Sequence, residues 1–301
     1  MNSFTFIYIV GIFIILNLFQ GFTDISLENQ LIFCSLLILL LGIPHGAIDH
    51  VLFFKKRKMS QLKFYSIYLG LSLLFVILWH IVPVTSLILF LLISAFHFGE
   101  SQFADVYFKK SLRYLFYFSW GLCLLSTLMF YNVNELFKIT SYFDDTIILD
   151  KIYDKDKIGV FFYLTNTITI ISMIALTLLK KIKNERLFSE FFLLFLIHIT
   201  FYLFPFVIGF TLYFVALHSL KVMNDEFEFL KTEEKNFSLI KFLKLLAPYS
   251  FLSIFGTTLL LFFSYFNYIP YSIPFLAIVI ISVITLPHAI VMNIFYNEKN
   301  L

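Results

Sequence analysis

Four short stretches place chemistry inside greasy sequence: "GIPHGAIDH" (42–50), "SAFHFGESQF" (94–103), "YFVALHS" (213–219) and "TLPHAIVMN" (285–293). Each puts a histidine into an otherwise apolar run, and the first two add a carboxylate. Ionisable groups in a lipid-crossing segment are costly; they face the bundle interior and mark functional sites. Imidazoles delivered by several helices to one depth are what a metal centre in a bundle needs. His45, His97, His218 and His288 are the candidate metal ligands. Asp49 is four residues after His45 and shares its helix face, so its carboxylate could orient an imidazole ring. Glu100 is three residues after His97, with Gly99 between them. Asp49 and Glu100 are the candidate catalytic carboxylates. His50 lies five residues from His45, about 140° around a regular helix, so the two do not easily reach one ion unless Pro44 distorts the turn. Pro44 releases a backbone carbonyl one turn earlier, and Gly46 lets a neighbouring helix come close.

These residues need elements to carry them. The chain has 301 residues, of which 60% are hydrophobic and 14% charged, with a mean hydropathy of +0.90. Soluble domains carry about 25% charged residues, so the composition excludes an ordinary soluble protein. The expectation is an all-α polytopic membrane bundle, a single transmembrane domain over residues 1–301, with the bilayer as its partner and no nucleic acid. About ten spans account for the apolar runs: 4–20, 31–54, 64–82, 85–104, 112–131, 158–179, 188–204, 206–222, 245–266 and 272–294. The run from Phe4 to Phe19 lacks a basic leader and a small-residue cleavage site, and reads as a retained first span.

The basic loops "KKRKMSQLK", "FKKSLR" and "KKIKNER" alternate with acidic or neutral ones: "TDISLENQ", "VPVTS" and "NVNELFKITSYFDDTIILDKIYDKDK". By the positive-inside rule both termini face the cytoplasm of a multi-pass protein in the cell inner membrane. His45, His50, His97, His218 and His288 then fall on even-numbered spans, all within about 15 Å of the cytoplasmic end. Any one alone would read as a hydrogen-bonded interior histidine; four helices at one depth favour a site. His80, beside Trp79 near the outer end of its span, reads as an interface anchor, and His198 as structural. Cys34 and Cys123 read as small core residues. The mixed-charge segment 224–237, "NDEFEFLKTEEKNF", reads as a solvated helix or loop.

No H-x-x-x-H box, H-E-x-x-H, C-x-x-C, Walker or serine-elbow sequence is present. The four stretches, in their order along the chain, resemble the Brp/Blh family of membrane beta-carotene dioxygenases, over roughly residues 40–293. That resemblance implies an iron-dependent membrane enzyme that splits the central double bond of beta-carotene with O2 to give two retinal molecules, the product passing to a retinal-binding membrane protein. It carries ligand roles to His45, His97 and His218. The family's fourth ligand, the last histidine of H-S-x-R-H, falls on Val222, because this chain reads "HSLKV". The family often has aspartate where this chain has Gln102. His288 is the first candidate to replace the missing imidazole, followed by His50 and Glu100, with Fe(2+) as cofactor. Two alternatives stay open: a haem or metal electron carrier using His97 and His218, and a noncatalytic carotenoid- or retinal-binding protein.

Overall fold

A computed structural model describes residues 3–18 and 26–298. Part of the expected "TDISLENQ" loop, the last residues of the first expected span and both chain ends lie outside the described residues.

Among the described residues every regular element is helical. α1 (Ser3–Leu18) is short. The second span is broken: α2 (Leu27–Leu37), a π-helical turn at Ile38–Gly42, a 3-10 turn at Ile43–Gly46, and α3 (Asp49–Lys56). α4 (Gln61–Ile81), α5 (Pro83–Phe103), α6 (Lys110–Thr140), α7 (Lys155–Leu178) and α8 (Asn184–Leu203) come after it. Next are α9 (Phe206–Tyr213), a π-helical turn at Phe214–Ser219 and α10 (Leu220–Glu233), then α11 (Leu239–Tyr265) and α12 (Ile273–Glu298). Counting each broken span as one, nine helices among the described residues are long and apolar enough to cross a bilayer. The tenth, α1, has 16 residues, below the usual spanning length. The chain is a multi-pass all-α membrane protein.

Starts and stops obey local chemistry. The Ser60 hydroxyl accepts from the Lys63 amide to cap α4, and Pro83 opens α5 where no amide donor is needed. Asp154 caps α7 by accepting from the amides of Asp156 and Lys157 at 3.1 Å. The seventh and eighth expected spans part at Pro205, as the sequence suggests. The fifth runs further than expected: α6 continues to Thr140 through a kink at Asn132, whose side chain donates to the Leu128 and Phe201 carbonyls. A displaced backbone carbonyl inside a membrane needs such a partner.

One correction concerns the segment after the eighth span. Residues 224–233 are helical, one of the two forms expected, but the helix is not solvated on all sides. Phe229 and Leu230 are buried against α3, α11 and α12 residues, including Leu52, Phe242 and Phe295, and Glu226 on the same helix is buried too. Large apolar side chains on α7 and α11, such as Val160, Tyr163, Phe251 and Leu252, point outward. Lipid tails are the solvent that such faces fit.

α5 and α6 touch backbone to backbone. A Cβ on Gly99 would lie 1.8 Å from the Tyr117 carbonyl oxygen, and one on Gly121 would lie 1.7 Å from that of Ala95. Small residues let membrane helices approach this closely, and the two contacts fix α5 on either side of His97.

Candidate metal centre

His45, His97, His218 and His288 converge, and all are buried. Their rings form a closed square. The centroid distances are 4.7 Å for His45–His288, 4.9 Å for His288–His97, 4.8 Å for His97–His218 and 5.2 Å for His218–His45. Each adjacent pair meets edge to face, with interplanar angles of 81–86°. His45, His97 and His288 each offer a nitrogen within 4.8 Å of the others, a spacing that can hold a metal ion.

The irregular turns build this square. A π turn carries one extra residue, rotates the helix beyond it and recurs at functional sites. One π turn immediately precedes the His45 turn, and the other contains His218. The carbonyls that this irregular backbone releases near Pro44 find partners. The Ser219 hydroxyl donates to the Leu41 carbonyl, and a His45 ring nitrogen bonds the Gly42 carbonyl. Gly42 and Gly46 leave room where a Cβ would press on the Phe214 ring (2.8 Å) and on His288 Nδ1 (3.2 Å).

Nδ1 is engaged on three of the rings: His45 with the Gly42 carbonyl, His218 with the Ser101 hydroxyl at 3.0 Å, and His288 with Asp49 Oδ1 at 2.8 Å. Fixing one ring nitrogen fixes the ring's orientation and leaves the other for a metal. Nε2 of His218 and His288 and both nitrogens of His97 are buried with no protein partner. Buried polar atoms are normally satisfied, and the imidazoles of His45, His97 and His288, whose neutral form ligates first-row metals, are spaced to hold a metal ion, with the unpartnered His218 Nε2 beside that group rather than within it.

The other expected residues take different places. Asp49 is buried as a partner of imidazole, but the ring it holds is His288 on α12, not His45 on its own face; the broken helix turns the i,i+4 relation aside. Its other oxygen accepts from Tyr68 of α4 at 2.8 Å. Glu100 is buried outside the square, where Oε1 accepts from Asn293 at 2.6 Å and Oε2 has no partner. His50 turns away and packs on Tyr249 and Tyr65. Val222, on the turn after His218, is fully buried among Ile48, Leu52 and Met292. Gln102 donates to Glu190. His80 bonds the Tyr271 hydroxyl at an exposed position, and His198 bonds Tyr131 and Asn166 away from the centre. Tyr68, Ser101, Ser219 and Asn293 complete the surroundings. Ser101 and Asn293 sit beside candidate histidines in sequence, but Tyr68 carries no sequence signal.

On one side of the square lies a cavity of about 140 Å³, lined almost wholly by apolar groups. Its walls come from the residues that precede each histidine: Ile38 and Leu39 before His45, Phe90 and Ser94 before His97, Phe210 and Phe214 before His218, Ile281 and Ile284 before His288. The residues after each histidine bring carboxylates and amides: Asp49, Glu100, Asp225 with Glu226, and Asn293. The apolar chamber therefore lies mainly on the side of the residues before each histidine, and the carboxylates and amides follow each histidine along its helix. His97 and His218 stand 4.8 Å apart with the other two imidazoles beside them, which leaves no slot for a porphyrin.

Fold and site define a polytopic membrane protein with a buried four-imidazole centre facing an apolar chamber. Residues 36–296 match the family described as beta-carotene 15,15'-dioxygenase, and the chain belongs to that family. A curated relative, the beta-carotene 15,15'-dioxygenase of uncultured marine bacterium 66A03, is 40% identical over 76 residues. The match spans 23% of this chain and 28% of that relative's length. No solved structure matches the chain.

Proposed function

We propose that this protein is an iron-dependent dioxygenase that cleaves the central double bond of beta-carotene with O2 to give two molecules of retinal. The observation that carries the reading is the square of imidazoles forming the floor of an apolar chamber within a membrane bundle. Family membership and the partial relative support it.

The metal ligands are His45, His97, His218 and His288, the last standing in for the imidazole absent at Val222. Iron(II), once bound, supplies the redox chemistry and the open coordination positions that reaction with O2 requires. The protein's residues do the rest. Asp49, Ser101 and the Gly42 carbonyl hold the His288, His218 and His45 rings by Nδ1, which would leave Nε2 of each as the nitrogen available to a metal. Asp49 acts through His288 and is a positioning residue, not a group that meets the polyene. Glu100, held by Asn293 outside the chamber, belongs to the supporting polar layer. Phe90, Phe210 and Phe214 give the polyene aromatic contact area, and their faces favour developing positive charge. The apolar lining excludes water. The chamber is only partly enclosed, so only the middle of a long hydrocarbon has to lie within it. Such a substrate lives in the bilayer and needs no extraction into water.

The chain acts as one transmembrane domain of the cell inner membrane with both termini in the cytoplasm, as its loop charges favour, and a retinal-binding membrane protein is the natural consumer of the product.

The test is expression in cells that accumulate beta-carotene, with iron and oxygen supplied and retinal measured by chromatography. Two retinals per carotene lost is the expected result. Retained carotene, with the protein verified in the membrane and loaded with iron, would overturn the reading.

A further inference from the structure

The polar side of the histidine layer contains a group that the reaction does not use. Glu226 on α10 is fully buried, and neither carboxylate oxygen has a hydrogen-bond partner. A buried, unpartnered carboxylate is expensive in any protein and more so inside a membrane bundle. It is not isolated. Asp49 and Asp225 lie close enough to act on it electrostatically, and Tyr296 is within the influence of Glu226, Asp225 and Glu100 together.

These groups have an order in space. α3 leaves the histidine layer just after His45 and α10 just after His218, and they meet again at the Lys55–Glu234 ion pair, at 2.9 Å. Side-chain exposure falls inward along this pair of helices: 48% for Glu234, 22% for Asp225 and 4% for Asp49, with Glu226 at 0%. Glu226 is eight residues from both His218 and Glu234, about 12 Å from each along a helix. Asp49 then touches His288 itself. On the opposite side, the chamber offers a divalent cation almost wholly apolar walls and no carboxylate, so that losing its hydration there would go largely uncompensated.

We propose that Glu226 is a transient binding site on the route by which a divalent metal cation reaches the four-histidine centre, passing from the surface at Glu234 along Asp225 and Glu226 to Asp49 and His288. The proposal rests on the metal-centre reading above. In it the two sides of the histidine layer have separate tasks: the carboxylates of α3 and α10 pass the cation, and the apolar chamber admits the hydrocarbon. The carboxylates exchange for the cation's waters one after another, and the imidazoles, which bind a first-row metal more tightly than oxygen ligands do, retain it.

The test uses the full chain in lipid nanodiscs, stripped of metal with a chelator and mixed with Co(II), whose visible absorption reports imidazole coordination. Glu226→Gln is expected to slow the rise of that absorption about tenfold, the lower end of what a focusing charge contributes to an association rate. The final amplitude and band position should match the unaltered chain. Asp225→Asn, which removes the charge that Asp225 shares with Lys221 at 3.2 Å, should slow loading as well. Unchanged loading rates in both variants, or an altered final spectrum in Glu226→Gln, would overturn the route. Absence of any imidazole-bound Co(II) spectrum in the unaltered chain would instead remove the metal centre, and the route with it.

Discussion

His288 Nδ1 and Asp49 Oδ1 lie 2.8 Å apart, although 239 residues separate them in sequence. The contact joins α12 to the start of α3, and Tyr68 from α4 secures the other carboxylate oxygen. The consecutive α3 and α4, and α12 from the far end of the chain, thus set the angle of one ring. Partners of this kind are worth about 10–100-fold in metal affinity. Asp49→Asn keeps the shape but loses the charge, and Co(II) titration of the purified chain should give an affinity lower by about that range. Unchanged affinity would mean that the carboxylate only fills space.

The four imidazoles should be set apart from the other three by metal content. Alanine at His45, His97, His218 or His288 is expected to leave purified protein with little iron. His50→Ala and His80→Ala should retain it, since His50 packs on Tyr249 and His80 bonds Tyr271 at the surface. Elemental analysis of folded, membrane-extracted protein distinguishes the groups. Equal loss in all six would indicate misfolding rather than ligation.

Val222→His restores the family's missing imidazole in sequence but not at the site. Position 222 is fully buried among Ile48, Leu52 and Met292, one turn beyond the square. A polar ring placed there without a partner costs about 1–3 kcal/mol. The expected outcome is a lower thermal midpoint with no gain in retinal formation; a gain would show that the natural centre is incomplete.

Gly99→Ala tests the helix contact that sets His97 in place. The new methyl would lie 1.8 Å from the Tyr117 carbonyl oxygen, which is backbone and cannot swing aside. α5 and α6 would have to separate. Overpacking costs about 1–3 kcal/mol where a side chain can yield, and more is expected against backbone. Thermal unfolding in detergent should show a clear loss of stability, together with loss of metal. Wild-type stability would mean that the helices can slide apart freely.

The chamber makes a separable prediction. Ala277 lines its wall away from the imidazoles. Ala277→Trp should leave iron content unchanged while sharply reducing beta-carotene turnover, as measured by retinal yield per bound iron. Unaltered turnover would place the hydrocarbon elsewhere.

Much of this protein was legible along the chain because the bilayer is a severe solvent. Apolar length alone declares a spanning helix, so the all-α polytopic class and the places of nearly all the spans come from hydropathy. The depth of His45, His97, His218 and His288 comes from loop charge and rise per residue, since equal depth on co-directional helices needs no tertiary detail. Depth does not give rotation. The sequence could not pair Asp49 with His288 instead of His45, or bury Val222, because those depend on two π turns and a 3-10 turn whose extra or missing residue shifts every later side chain. Nor could it find Glu226, which a mixed-charge segment disguised as solvated helix. Whether a charged residue is buried depends on what packs over it, and that was decided by α3, α11 and α12 closing on α10.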